Sequence, residues 1–533
     1  MPTRFPLHRR MASILLLTLT GLVGVLSACD STPFITTAQA RPAAPLDVTS
    51  DWPGVWSGQV IALDNGPVVF NAPSAEHCRR WPVVREVAGD SVEGINDAER
   101  RREHWGLSRH DVPTAAAPMP SAKAVGRASE SAAVADRAVA GTATPFMPMP
   151  QVQPPLQRPA NEVVMQPVTA GMVDDNADFG EYLAYRERTL ASRHLLVRDR
   201  DVSERQLLEV TDAAGRPVHD AEVAIQRAGL SQPVMWARTD TAGRVWLHPR
   251  AFLPADAVSE TRFGVAVRKG NSIARTVWSR GQAAALQVQL KDVQAIQRPR
   301  LDLVFLVDAT GSMGDEIAKL KNSMRAVAAQ IAQLPTTPDV CYGLVTYRDR
   351  GDAYLTRSHD FTHDLGAFQS VLARAQAAGG GDTPEALNEA LHETVHGLSW
   401  RHNAVRLVVL VADAPPHLDY CATPNLHTAQ QAVCPLYDRD MQAALAKGIK
   451  LFAVGASGLD PSGEFIFRQM AQYTAGRFVF LTYKNAKEPG SGPGSETVHD
   501  VKQYSVQTLD KLIVRLVGDE LAQWANAMKP GST

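Results

Sequence analysis

The chain has no excess of charge of either sign. Its 533 residues carry 54 Lys and Arg against 56 Asp and Glu, a formal net charge of -2, so it has no electrostatic footprint for nucleic acid. The basic run Arg100 to Arg102, in AERRREHW, has acidic neighbours on both sides and reads as solvated surface. Cysteine is scarce, with five in the chain, and the His and Cys spacings match no standard zinc motif. The glycine triplet Gly379 to Gly381 has no Lys after it and follows a helical stretch rather than a strand, which excludes a phosphate-cradling loop of the P-loop kind. The length exceeds what one hydrophobic core supports, so more than one unit is expected.

A long apolar run, Met11 to Ala28, follows Arg4, His8, Arg9 and Arg10 and ends LSAC at Cys29. It resembles a bacterial lipoprotein signal. That resemblance implies a signal peptide over 1–28, lipidation of Cys29 after cleavage, and a lipid-anchored protein of the cell envelope facing the periplasm or exterior. Asp30 would favour retention at a Gram-negative inner membrane. The alternative is an uncleaved membrane helix, because the run is near the ~18-residue length needed to span.

Residues 29–175 are Pro- and Ala-rich and read as a tether. Within them 50–110 has the aromatic anchors Trp52, Trp56, Trp81 and Trp105 and one strand-like run, SGQVIAL, without a readable fold. Val112 to Met172 is low in complexity and cannot bury enough apolar surface to offset its ordering entropy. A lead-in segment, 176–196, contains DFGEYLAYRERTLASRH, which reads as a short helix. Short alternating strands then fill 197–295 at the spacing of a small antiparallel sandwich. VTDAAGRPVHDAEV and RTDTAGRVWL resemble carboxypeptidase-regulatory or immunoglobulin-like modules, which mostly serve as spacers. Asp212, Gly215, Asp240 and Gly243 supply what tight turns require; a calcium site at these turns is the alternative.

From 298 to 530 strand and helix alternate, which predicts a parallel, doubly wound sheet. Leu303 to Val307 is apolar without alternation, as a central strand covered on both faces requires. Ile317, Leu320, Met324, Val327, Ile331 and Leu334 recur at helical spacing. Where the first strand ends, Asp308, Thr310 and Ser312 project into the crevice beyond its carboxyl end, where open α/β sheets bind ligands. Oxygen donors without His or Cys suit a hard divalent cation.

LDLVFLVDATGSMG, Thr383 in GGGDTPEAL and Asp413 in VRLVVLVADAPPH together resemble the von Willebrand factor type A domain and its metal-ion-dependent adhesion site. The fold expected is therefore multidomain: a doubly wound, Rossmann-like α/β domain of this type, a preceding all-β sandwich and a largely disordered N-terminal region. The resemblance implies a divalent cation held by Asp308, Thr310, Ser312, Thr383 and Asp413, with Mg²⁺ first and Mn²⁺ or Ca²⁺ as alternatives. It further implies a protein partner that presents Asp or Glu to the ion. Thr310 stands where the family's basic pattern has Ser, and keeps the hydroxyl. Asp308 and Asp413 alone would carry negative charge in the site, with Asp382 facing away.

Two other functions compete with this one. A phosphohydrolase of the haloacid dehalogenase kind needs a second Asp as general acid where this chain has Thr310, and a hydroxyl cannot protonate a leaving alkoxide at neutral pH; an enzyme is not expected. A structural envelope protein with a non-functional metal site is the other alternative. Arg350 to Asp352 spell Arg-Gly-Asp and read as a charged turn. Specificity would come from loops such as Arg348 to Asp352 and His417 to Cys434. Cys421 and Cys434 lie close enough to staple that second loop, adding on the order of 3 kcal/mol; a zinc site of His417, Cys421, His427 and Cys434 is the alternative. Cys341 is expected as a buried small residue, and Cys78 as free or paired with a residue the sequence does not identify.

Overall fold

The fold is that of a computed structural model, which describes residues 73–89, 167–192, 195–227, 232–253, 259–294, 298–381, 383–418 and 435–527. The segment read as a signal peptide, the expected lipidation site Cys29, SGQVIAL, most of the stretch read as tether, Asp382, Cys421, His427 and Cys434 lie outside the described residues. None of the helices among the described residues is long and apolar enough to cross a membrane.

Strand β1 (Val84–Val87) and strand β2 (Thr169–Val173) precede helix α1 (Phe179–Leu190). Seven short strands follow: β3 (Gln206–Thr211), β4 (Glu222–Gln226), β5 (Met235–Arg238), β6 (Arg244–Leu247), β7 (Arg262–Lys269), β8 (Ser272–Ser279) and β9 (Leu286–Gln289). The α/β region then runs β10 (Arg300–Asp308), α2 (Gly314–Ile331), β11 (Asp339–Tyr347), β12 (Thr356–Thr362), α3 (Leu365–Arg374) and α4 (Leu387–His392). It continues with β13 (Ala404–Ala412), α5 (Tyr437–Ala446), β14 (Ile449–Gly455), α6 (Pro461–Tyr473), β15 (Arg477–Thr482), β16 (Gln507–Thr508) and α7 (Leu509–Ala527).

The large sheet has the order β1-β12-β11-β10-β13-β14-β15-β2-β16. Its centre, β11-β10-β13-β14-β15, is parallel, and β12, β1, β2 and β16 add antiparallel edges. Chain order reverses about β10: β11 lies on one side and β13 on the other. That is the switch point at which such sheets open a crevice.

The unbroken apolar runs are explained by burial on both faces. Leu303, Phe305 and Val307 of β10 join the core under α2, α3 and α7, while Val304 and Leu306 join the core under α4, α5 and α6. The neighbouring β13 divides the same way, Leu407, Val409 and Val411 against Val408 and Leu410. Each such buried side chain contributes roughly 1.5–3 kcal/mol relative to exposure.

Two strands of this sheet come from segments read above as tether. β2 lies between β15 and β16, pairing Phe480 with Gly171. β1 lies on the far edge against β12, pairing Arg85 with Ser358. A domain boundary at 175 would remove both. The weak alternation of TAGMV and VREV hides them, because strand preference depends on the neighbours a strand packs against. The cysteine assignment changes too: Cys341, fully buried in β11, is bonded to Cys78 across a separation of 263 residues.

The seven short strands make two small sheets, β6-β3-β9 and β5-β4-β7-β8. They depart from the antiparallel expectation at one pair, since β9 runs parallel to β3 with Leu286 opposite Leu208. The turns behave as read. Asp212 Oδ1 accepts from the N–H groups of Ala214 and Arg216, each at 2.9 Å, and Asp240 Oδ1 does the same for Ala242 and Arg244. These aspartates serve their own turns. Many apolar residues of both sheets, including Leu208, Val223, Phe263 and Trp278, belong to the same cluster as one face of the large sheet.

A buried ionic junction joins the two regions. Asp220, left-handed at φ 57°, accepts from Arg238 at 2.8 Å, from Arg406 of β13 at 2.9 Å and from the Asn403 N–H at 2.9 Å. Asp and Asn tolerate this conformation better than most residues.

Candidate metal centre

Asp308 ends β10, and Asp413 follows the last residue of the adjacent β13, so the parallel register sets two carboxylates side by side at the carboxyl edge. Beyond Asp308 the chain folds back on it. Asp308 Oδ1 accepts from the Thr310 backbone N–H at 2.9 Å and from the Thr310 hydroxyl at 2.7 Å. Thr310 Oγ1 lies 3.0 Å from Ser312 Oγ. A 3₁₀ turn, Gly311–Met313, leads into α2, whose amino terminus therefore points its positive dipole end at this loop.

The glycine loop closes over the same residues. Ala378 N–H donates to Ala309 O at 3.0 Å, and Gly311 N–H donates to Gly379 O at 2.9 Å. Gly379 and Gly380 have φ of 79° and 70°, a region that L side chains disfavour. A Cβ on Gly380 would also stand 2.9 Å from Glu385 Oε1 and 3.1 Å from the Thr310 Cβ. Glycine is needed here for backbone shape and for the approach of side chains.

Four of the five expected ligands are thus brought together: Asp308, Thr310, Ser312 and Asp413. Thr383 stands exposed in the loop that follows the glycines. Its loop is fixed on the far side by Glu385, whose N–H donates to Pro415 O at 3.0 Å, two residues beyond Asp413.

The electrostatics are those of an anion-rich, desolvated site. Burial pushes the Asp308 carboxyl up to about 7, and the charge of Asp413 adds to the shift. Burial also raises Asp413, against the lowering effect of the nearby Ser312 hydroxyl. Asp308 Oδ2 and Asp413 Oδ1 are buried without a hydrogen-bond partner. Buried polar atoms are almost always satisfied, so two orphaned carboxylate oxygens beside two hydroxyls fit a hard cation.

Two acids escaped sequence reasoning. Glu385, 3% exposed, is a third buried carboxylate here, and with Asp308 and Asp413 it raises the Tyr347 hydroxyl, which burial already raises. Negative charge is therefore not confined to Asp308 and Asp413. Its only sequence signal was its place two residues after Thr383. Glu316, also buried, accepts from the Tyr483 hydroxyl and is raised by burial, with Asp413 contributing.

The surrounding loops interlock. Asp352 of Arg-Gly-Asp turns inward, its Oδ2 accepting from the N–H groups of Gly380 at 2.8 Å and Asp349 at 3.0 Å. Asp349 Oδ1 lies 2.9 Å from Nε2 of His417, so the two loops expected to carry specificity are tied to each other. His417 thus faces a carboxylate; its proposed zinc partners lie outside the described residues.

Residues 302–484 match the family model of the von Willebrand factor A domain. A von Willebrand factor A domain-containing protein 7 from Rattus norvegicus is 38% identical over 244 residues, 42% of this chain and 26% of that protein. The alpha-protein kinase vwkA of Dictyostelium discoideum is 30% identical over 118 residues, 22% of this chain and 19% of its own length. The chain thus spans about a quarter or less of the length of these relatives. Among solved structures, the conserved hypothetical protein BatB from Bacteroides thetaiotaomicron aligns at 12% identity and a TM-score of 0.28, over 42% of this chain and 99% of its own. With the strand order in agreement with the sequence match, the chain contains a von Willebrand factor A domain over residues 302–484.

Proposed function

We propose that this protein is a lipid-anchored binding protein of the cell envelope whose A domain grips an Asp or Glu of a protein partner through a divalent cation, Mg²⁺ first among them. The observation that carries the reading is the pair of buried, unpartnered carboxylate oxygens, Asp308 Oδ2 and Asp413 Oδ1, beside the Thr310 and Ser312 hydroxyls. Asp308, Thr310, Ser312, Thr383 and Asp413 would hold the ion, directly or through water. The ion supplies a Lewis acid with a coordination position for an incoming carboxylate. Asp308 and Asp413 neutralise its charge, the hydroxyls orient them, and the Asp349–His417 contact fixes the rim against which a partner would rest. We assign no catalytic role, because Thr310 gives its hydroxyl proton to Asp308 Oδ1 where phosphoryl chemistry needs an acid aimed at a leaving group.

In the same reading the two small sheets form the β-sandwich spacer. Residues 29–72 and the stretch before β2 tether it to the lipidated Cys29. The test is partner capture from envelope extracts by the full chain in Mg²⁺ and in chelator, repeated with Asp308→Ala. Proteins retained only in Mg²⁺, and lost with the variant, are expected; retention equal in chelator would overturn the mechanism.

A further inference from the structure

A second cluster of ligating side chains lies on α4 and α5, and it uses none of the residues of the site above. His392 closes α4, and the chain continues as a π turn, Glu393–Gly397, that carries His396. The two imidazoles lie side by side, ring centroids 4.5 Å apart. Asp440 reaches them from the first turn of α5: its Oδ1 is 3.1 Å from His392 Nδ1 and 3.0 Å from His396 Nε2. The three ligand atoms lie within 4.8 Å of one another. Turns of the π kind are uncommon and recur at functional sites.

The two separations from Asp440 Oδ1, 3.1 and 3.0 Å, are compatible with ligand atoms on one ion. Zinc binds imidazole nitrogen at about 2.0–2.1 Å and carboxylate oxygen at about 2.0–2.2 Å, so ligand atoms on one ion stand roughly 2.9–3.4 Å apart. A second observation points to a ligand. Asp440 Oδ2 is buried and has no hydrogen-bond partner, although Oδ1 of the same carboxylate faces two imidazoles. A cluster serving hydrogen bonding alone would share its donors between both oxygens.

We propose that His392 Nδ1, His396 Nε2 and the Asp440 carboxylate bind a divalent transition-metal ion of the Zn²⁺ class. Two imidazoles select such an ion over Mg²⁺ and Ca²⁺, which prefer all-oxygen shells. The site is therefore chemically distinct from the adhesion site in the same domain. Asp440 is buried, while the His392 and His396 side chains are 39% and 38% exposed. The ion has solvent on one side and room there for water or a donor from another molecule. Its protein ligands come from α4 with its π turn and from α5, far apart in sequence, so binding clips these segments together.

The test uses the untagged full chain, stripped with chelator and desalted, titrated with Zn²⁺ by calorimetry and with Co²⁺ by visible absorption, in excess Mg²⁺. One equivalent is expected to bind with d–d bands free of thiolate charge transfer. His396→Ala, a half-exposed position whose fold is checked by circular dichroism, should weaken Zn²⁺ binding by at least about tenfold. Asp440→Asn should do the same, and Asp308→Ala should leave it unchanged. No binding in wild type, equal binding in His396→Ala, loss in Asp308→Ala instead, or a thiolate band that places the ion on cysteines would each overturn the assignment.

Discussion

Two buried aspartates at opposite ends of the parallel strands, Asp220 and Asp308, are shifted in opposite directions. At the amino end, Asp220 is buried, yet its carboxyl lies well below the usual range. Burial alone would raise it, but Arg238, Arg406 and Lys269 win. At the carboxyl end, Asp308 is equally buried and is pushed up to about 7, because its charged neighbour is another acid, Asp413. The amino end is a closed network whose charges are satisfied within the protein. The carboxyl end is left unsatisfied, and its unmade interactions are what a ligand can use. Stability and binding are thus divided between opposite edges of one sheet.

The strongest way to break this contrast is Arg406→Met, which leaves Asp220 under-compensated at the closed end. Removing one partner of a buried ion pair costs about 3–5 kcal/mol, so denaturant unfolding should show a loss of that size in either Mg²⁺ or chelator. A loss that depended on Mg²⁺ would mean the two ends are coupled.

Next comes the covalent bond at the same end, Cys78–Cys341. Cys78→Ser should cost about 2–5 kcal/mol and make 73–89 more readily cut by protease than in wild type. The Mg²⁺-dependent rise in melting temperature should survive in this variant.

At the open end, a bound ion should stabilise the native state by about 2.7 kcal/mol when free Mg²⁺ is a hundredfold over its dissociation constant. Asp308→Asn should abolish that increment while leaving stability in chelator undiminished, since it also removes a buried charge and its repulsion with Asp413. A melting temperature that still climbs with Mg²⁺ in this variant would place the ion elsewhere.

The smallest effect is expected from pH. Burial lowers His219 to about 4 and His248 to about 3, both in the small-sheet region. A base whose folded pKa is depressed contributes stability that is full above its unfolded value of about 6.5 and is lost as pH falls towards the folded value. Between pH 7 and pH 6 the two together should cost roughly 1 kcal/mol. This is best read in Asp308→Asn protein, because the raised Asp308 carboxyl titrates with the opposite sign. Stability that is flat over this interval would show that the histidines are not buried neutral.

Particular residues show why some features were legible and others were not. The doubly wound sheet could be read because β10 and β13 carry apolar side chains at every position, a pattern only double-sided burial explains. The clustering of Asp308, Thr310 and Ser312 could be read because they are local to one another and to the end of a strand. Glu385, Asp352 and the Cys78–Cys341 bond could not, since each depends on a neighbour brought from a distant part of the chain.

By itself the sequence determined the order of strands and helices in the A domain, the turns at Asp212 and Asp240, and the residues that end β10 and β13. These follow from periodicity and backbone preference, which act over a few residues. Only the tertiary structure decided that β1 and β2 complete the sheet, that Asp220 binds Arg406, and that His392, His396 and Asp440 converge. Those depend on the packing of segments tens to hundreds of residues apart, where side-chain identity matters only once the fold has chosen its neighbours.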